Sequence, residues 1–389
     1  MTDDIHDVIL VGAGVAGSRL LTHLLASPWR TRRILVIERA PERHEDHALA
    51  FWTADASALD PLVEHGWTAL RSVALDGREF VGQLRDHRYV STRRSTIVGA
   101  AAALGGPNVA RITGDVGSIH DEHGLAVVHV GAATHRGRLV FDSRRPSPGP
   151  ATVRLIQRFT GWVVETVTPC FDPGAATLFD FRTDQAGATC FVYVLPFSST
   201  RALVEHVAIG PVDAALPEPG DMLRGYLTAR LGVPPDGYSV TVRERGESPL
   251  SDARHPRRAG RCICNIGLRG GRLKPSSGYA LARIERDSLA IVRSLASHGH
   301  PFGVPRDGWW YRSLDAIFLR VLAREPARSP AIFAALMRRP DVTLRFLDER
   351  AGLVDLLRLL VALPTWVFLR ATLGWALSRR APPHLKTAA

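Results

Sequence analysis

The sequence predicts an α/β fold with an α+β insertion, and three stretches carry that prediction. The apolar run at 7–11 (DVILV) breaks at once into Gly12-x-Gly14-x-x-Gly17. Four strand-like runs separated by turn residues occupy 160–207. A second glycine-rich block, 264–279, opens another helix. At 389 residues, 46% hydrophobic and 22% charged, the chain has the composition of a globular protein and not of a disordered one.

The first run is a buried parallel strand by its continuous apolarity. Gly12 then allows a tight turn, Gly14 lets backbone approach an anion, and Gly17 lets the next helix sit close to the strand. Residues 18–25 (SRLLTHLL) continue with helical apolar spacing, and 34–37 (ILVI) is a second buried strand ending in Glu38. Glycine turn, helix and distal acid make a Rossmann-type unit, in which the helix N-terminus holds a pyrophosphate. Glu38 is placed for a ribose hydroxyl and disfavours a 2′-phosphate.

The charged, histidine-rich segment 39–50 is expected to loop over the nucleotide. His44 and His47, with Glu42, Glu45 and Asp46 around them, lack a metal-ligand spacing and read as a solvated loop. Phe51, Trp52, Leu59, Leu62, Val63, Trp67 and Leu70 form an apolar cluster that is either core or a pocket wall. A strand follows at 89–92, a small-residue helix at 95–104, and two alternating strands at 126–131 and 138–142. The proline-rich stretch 143–150 marks a crossing between units.

The four runs at 160–166, 177–181, 190–195 and 201–207 predict an antiparallel substrate-binding sheet. Residues 221–231 read as a helix and 239–247 as a strand. Gly267, Gly271 and Gly278 then form a second strand–turn–helix with backbone N–H groups aimed at an anion, the helix running over 280–297. Gly17 and Gly267 stand 250 positions apart. Two such loops suit FAD lying extended through an interrupted domain, whereas a nicotinamide site needs only the first. The expected units are therefore a discontinuous FAD-binding domain at 1–150 and 240–300, a β-rich substrate domain at 151–239, a helical region at 301–378 and a disordered tail at 379–389.

From Tyr311 onward apolar clusters at helical spacing are interleaved with arginine, ending in 353–377. Such a basic amphipathic tail is either a packed cap or a membrane-surface contact, and core packing is the expectation for most of its residues. No run reaches the roughly 18 to 20 uncharged apolar residues of a membrane span; the nearest, 359–369, contains Pro364. The first strand leaves no room for a secretory signal. Cys170, Cys190, Cys262 and Cys264 are too scattered for a disulfide framework or a zinc site, so reduced thiols in a cytoplasmic protein are expected. The formal charge of +11 lacks any nucleic-acid-binding signature; it fits an anionic membrane surface or an arginine-rich composition.

On particular motifs the chain resembles the flavin-dependent lycopene β-cyclases, most closely the actinobacterial type. They are DVILVGAGVAGSRL at 7–20, VFDSR at 140–144, FTGWVVET at 159–166, FVYVLPFSSTRALVEH at 191–206, ERGESPLSDARHPRRAG at 244–260 and IGLRGGRLKPSSGY at 266–279. FLRVLAR, RFLDER and ALPTWVFLR continue the likeness through the tail. The resemblance implies a Rossmann-type FAD-binding domain of the flavoprotein monooxygenase/reductase type. It implies FAD active in its reduced form, with NAD(P)H as the source of reducing equivalents, and chemistry with no net redox change. A terminal alkene of a linear polyene is protonated, the neighbouring alkene attacks the tertiary cation, and a proton leaves the new six-membered ring. The hydrophobic polyene places such an enzyme at the inner face of the cell membrane.

By the same resemblance Glu205 is the general acid, and Glu244 orients it or assists the final deprotonation. Gly267, Gly271 and Gly278 line the flavin, with Tyr279 beside them. Apolar neighbours of Glu205 (Ala202, Leu203, Val204, Val207, Ile209) suit a desolvated carboxyl with a raised pKa; the plainer reading is a solvent-facing strand glutamate paired with arginine. Three stretches depart from the family pattern, His47 to Ala50, His206-Val207 and Ser248, and all are expected to border the substrate channel. A cyclase of another prenyl or terpenoid substrate, a redox flavoenzyme (hydroxylase or prenyl reductase), and a non-catalytic flavin- or lipid-binding protein are the competing readings.

Overall fold

The computed structural model describes residues 5–39, 46–53 and 57–380. Its first half runs β1 (Ile5–Val11), α1 (Val15–Leu25), β2 (Ile34–Glu38), β3 (Ala48–Thr53), β4 (His65–Trp67), β5 (Ala69–Val73), β6 (Glu79–Gln83), β7 (Arg88–Arg93), α2 (Arg94–Ala103), β8 (Val109–Thr113), β9 (Val116–Glu122), β10 (Leu125–Val130) and β11 (Ala133–Asp142). Next come β12 (Arg154–Thr166), β13 (Ala175–Asp180), β14 (Thr189–Pro196), β15 (Arg201–Gly210), α3 (Pro219–Ala229), β16 (Tyr238–Ser251), β17 (Ile263–Asn265) and α4 (Leu281–His298). Five helices complete the chain: α5 (Trp309–Arg324), α6 (Ser329–Met337), α7 (Pro340–Leu347), α8 (Leu353–Ala362) and α9 (Thr365–Arg380).

One sheet has the order β8-β2-β1-β11-β10-β9, with β17 also on β11. Its centre is parallel and its β9–β10–β11 edge antiparallel. β1 lies mid-sheet, which explains its unbroken apolarity. Val8 and Leu10 pack under α1 and α4, while Ile9 and Val11 face the apolar side chains of β10. α1 packs directly on α4, so the two predicted strand–turn–helix units meet in space.

A second sheet has the order β16-β12-β15-β14-β13-β5-β6 and is antiparallel except at β13–β5. A third, β3-β7-β4, lies beside it. This corrects the linear boundaries. Residues 240–251, assigned above to the nucleotide unit, pair along β12 in the second sheet, and β5 and β6, from before residue 150, form its far edge. A strand of 14 residues such as β16 has a row of N–H and C=O groups to satisfy, and β12 is the partner long enough to do so.

Three further expectations change. Ala48 to Ala50 begin β3 rather than continuing a loop, because they pair with β7; residues 40–45, His44 among them, lie outside the described residues. α9 extends to Arg380, past the expected start of the tail at 379, and 381–389 lie outside the described residues. In α8 and α9 many large apolar side chains are exposed, against the expectation of core packing, whereas those of α5, α6 and α7 are largely buried. The four cysteines form no disulfide.

Candidate active site

The nucleotide end is built on the turn after β1. Gly12 adopts φ +94°, a left-handed conformation that favours glycine. A Cβ on Gly17 would overlap the Gly12 carbonyl, so only glycine lets α1 begin this close to the strand. Gly14 caps α1 with extended backbone and no side-chain hydrogen bond, and nothing lies within 4 Å of where its Cβ would be. The leading N–H groups of the helix are thus left for a ligand. Glu38 reaches back from the end of β2 to accept the Ala13 N–H, so the predicted acid does stand at the turn.

The second block closes on the first. A Cβ on Gly267 would lie 2.7 Å from that of Ala16 in α1. Gly271 lies against His255, and Gly278 against Gln157 of β12, which carries the block over to the second sheet. Asp142, which sequence reasoning did not single out, is buried at the end of β11 and binds both Arg144 and Arg269, tying the two blocks together. Among the described residues the Trp52 indole N–H and the Ser277 hydroxyl are buried without a partner, the Trp52 ring against Tyr279 and Ser277 two residues before it in the chain. The glycine cradle, the uncapped helix and these polar atoms fit a dinucleotide with a polar ring system.

The acids lie on the inner face of the second sheet. Gly161 of β12 stands directly opposite Glu205 of β15 on one side and Glu244 of β16 on the other. A Cβ there would lie 3.0 Å from the Glu244 Cγ and 3.3 Å from a Glu205 carboxyl oxygen. The glycine is the gap through which the two carboxyls meet and hydrogen-bond. The Ala48 N–H of β3 also donates to Glu244 Oε2, at 3.0 Å.

Glu205 retains some accessible surface, while its carboxyl lies against Gly161 and beside Glu244. Burial first, then the charge of Glu244, pushes its pKa well above the usual carboxylate range. Burial also raises Glu244, but the Ala48 N–H, the bond from Glu205 and the charge of Arg93 oppose it. Both carboxyls are thus raised, and the Ala48 N–H that Glu244 accepts favours the charged form on Glu244 rather than on Glu205.

Tyr193 of β14 stands opposite Glu205, extending the row to Glu244, Gly161, Glu205 and Tyr193. The Tyr89 hydroxyl is 2.7 Å from both the Tyr193 and the Tyr279 hydroxyls. Since each hydroxyl carries one proton, Tyr89 donates at most one of these two bonds and accepts at least one. Burial pushes Tyr279 up to about 12 and Tyr193 well above the ordinary phenol range, with Glu205 adding to both and Glu244 to Tyr193. Trp52 contacts Tyr279 edge-on at 4.6 Å, and Trp67, Leu195 and Leu203 complete an apolar wall. Sequence reasoning missed Tyr89 and Tyr193; the alternation of FVYVLP was the available signal, but it needed the register to align with Glu205.

Of the departures, His206 points to the opposite face of the sheet from Glu205, with Val204 and the α3 side, so it does not border this site. Val207 and Ser248 share the site face, and the His47 ring meets Phe159 there at 5.6 Å. A separate cavity, about 80 Å³, opens on the α3 side among Arg71, Asp172, Asp180, Arg182 and Tyr226. Its charges are paired with one another, and it holds neither of the raised carboxyls.

A family model described as "Lycopene cyclase protein" matches residues 7–373. The chain is 28% identical over 386 residues to a lycopene beta-cyclase of Paracoccus sp. (strain N81106 / MBIC 01143), spanning 92% of this chain and 94% of that one. It is 26% identical over 389 residues to a lycopene beta-cyclase of Pantoea ananas, spanning 92% and 95%. Its fold is similar to that of a geranylgeranyl bacteriochlorophyll reductase-like protein from Thermoplasma acidophilum, with TM-score 0.60, 14% identity and coverage of 94% and 98%. It is also similar to Klebsiella pneumoniae HpxO complexed with FAD and uric acid, with TM-score 0.53, 14% identity and coverage of 92% and 97%. These likenesses establish a flavoprotein fold of the monooxygenase/reductase type.

Proposed function

The chain belongs to the lycopene cyclase family, and from that premise we propose that it is a flavin-dependent lycopene β-cyclase of carotenoid biosynthesis, closing a six-membered ionone ring with no net redox change. The observation that carries the reading is the row Glu244–Gly161–Glu205, two desolvated carboxyls side by side with raised pKa values, facing aromatic side chains.

FAD would be held by Gly12, Gly14, Gly17 and Glu38 at one loop and by Gly267, Gly271 and Gly278 at the other. Reduced with electrons from NAD(P)H, it would supply negative charge near the reacting carbons. Glu205 gives its proton to the terminal alkene, and the tertiary cation accepts the electron pair of the neighbouring double bond as the ring C–C bond forms. A ring proton then returns to the pair, so that atoms and electrons balance and the product is an isomer. A carboxyl can do this only if protonated at neutral pH, which burial and the adjacent Glu244 secure. Trp52, Trp67, Tyr89, Tyr193 and Tyr279 keep water from the cation and offer it π faces. We place the enzyme at the inner face of the cell membrane, where a hydrocarbon polyene dissolves.

The test is expression in a lycopene-accumulating host with product analysis by mass and absorption spectrum. Ring formation, abolished by Glu205→Gln with FAD content unchanged, is expected. Unaltered pigment from flavin-loaded protein would remove lycopene as substrate and favour another prenyl or terpenoid chain. The flavoprotein fold also supports a redox reading, a hydroxylase or prenyl reductase; that enzyme would consume NAD(P)H in proportion to product, whereas a cyclase needs reductant only to prime the flavin.

A further inference from the structure

Helices α8 and α9 carry their apolar stripes on the outside. In α8, Leu353, Val354, Leu357, Leu360 and Val361 recur at helical spacing and are all more than half exposed, while the opposite side buries Asp355 and Leu359. In α9, Trp366, Leu369, Leu373 and Leu377 are likewise more than half exposed, while Val367 and Ala371 pack on Ile317 and Val321 of α5. A helix at a water-facing surface has the reverse arrangement. Apolar patches of this extent mark a contact surface.

The charge carried by the two helices is predominantly basic. Between 351 and 380 the only acid is Asp355. It is buried and held by Arg345 through two bonds of 2.9 Å. The Arg358 and Arg370 side chains are at least half exposed, although Arg358 lies 3.8 Å from Asp355 and Arg370 pairs with Glu325 at 3.4 Å, and the sequence of α9 ends on Arg379 and Arg380. Trp309 and Trp310 are exposed at the start of α5, which the bond from the Tyr311 hydroxyl to the Ala351 carbonyl, at 3.1 Å, holds near the start of α8.

Neither helix crosses a bilayer alone. Their 10 and 16 residues span about 15 and 24 Å, short of the ~30 Å hydrocarbon core, and the pair bends by 112° at the break between them. A two-fold contact between copies would bring like charges together around the patch, whereas a bilayer containing anionic lipid satisfies both the apolar stripe and its basic rim.

We propose that α8, α9 and the Trp309-Trp310 pair form the docking surface of this protein for an anionic lipid bilayer, lying along the headgroups with the apolar stripes among the acyl chains. It deepens the reading above, since such a surface gives the buried acids access to a substrate dissolved in the membrane. The binding itself is measured without substrate.

The test is flotation of the FAD-loaded protein with vesicles of phosphatidylcholine containing phosphatidylglycerol, and with phosphatidylcholine alone. Wild type is expected to float with the anionic vesicles and to bind at least tenfold more weakly in high salt or to neutral ones. A Leu357→Ser/Val361→Ser variant and a Leu369→Ser/Leu373→Ser variant, altered only at exposed positions, are expected to lose flotation by a similar factor. Both should retain FAD content, melting temperature and turnover of substrate supplied in detergent. Variants that float like wild type, or a wild type that stays in solution, would overturn the proposal. So would a lipid-free dimer that the same substitutions dissociate, which would assign the patch to a second copy. Failure of ring closure with flotation intact would overturn the cyclase reading alone.

Discussion

Gly161 is the residue on which the acid pair depends. Gly161→Ala inserts a methyl 3.0 Å from Glu244 Cγ and Leu203 Cδ1 and 3.3 Å from the Glu205 carboxyl, tighter than ordinary contact. Separating the two groups misplaces the proton donor, so turnover is expected to fall on the order of 100-fold with FAD still bound; steady-state rates on flavin-loaded protein check it. Glu205→Gln has a second consequence, in stability. Its folded pKa is raised, so the unfolded chain releases this proton at lower pH than the folded one, and wild type loses stability as pH climbs above the ordinary value of about 4.3. The amide removes that loss. The variant should therefore melt higher than wild type at about pH 8, and the two should converge at about pH 4; thermal scans across that range decide it.

At the scale of elements, the second glycine block is joined to the helical region through a buried lysine. Lys274 is 1% exposed and pairs with Asp315 at 3.1 Å and with Glu349 at 3.4 Å. Ser276 of the same block donates to Asp315 at 2.6 Å, and Arg283 of α4 reaches Glu349 at 2.7 Å. Lys274→Met would leave Asp315 with a hydroxyl as its sole remaining hydrogen-bond donor among these groups. Breaking a buried pair from one side destabilises by about 3–5 kcal/mol, and denaturant unfolding should show a loss of that order. Elements of strong local period were legible in the sequence: β1 with its glycine turn, the four strands of 154–210 and α4 all lie where apolar spacing set them. The strands at 65–73 and 79–83 were not, because they are only three to five residues long, β5 is buried on both faces and so shows no alternation, and β6 buries none of its residues.

For the whole molecule, the central fact is that two sheets share one site. The nucleotide loops hang from the first, the acids stand on the second, and the block from Gly267 to Tyr279 runs between them. A ligand bridging such parts stabilises both, so removing FAD from the holoenzyme should lower its melting temperature by several degrees; saturation at ~100 times the dissociation constant corresponds to about 2.7 kcal/mol. Melting of apo protein titrated with FAD measures this.

By itself the sequence determined the identity of the parts: the glycine turn, the acid at the end of β2, the second glycine block, and a glutamate in an apolar strand. Each is a local pattern, set by steric needs within a few residues. Only the tertiary structure decided that Gly161 opens the space between Glu205 and Glu244, that Tyr89 of β7, Tyr193 of β14 and Tyr279 of the second glycine block join hydroxyls, that His206 faces away, and that α8 and α9 turn their apolar sides outward. Those facts depend on register across strands and on which face each neighbour covers. A shift of one residue in pairing reverses every side chain on a strand, and nothing in a strand's own alternation says which partner residue it will meet.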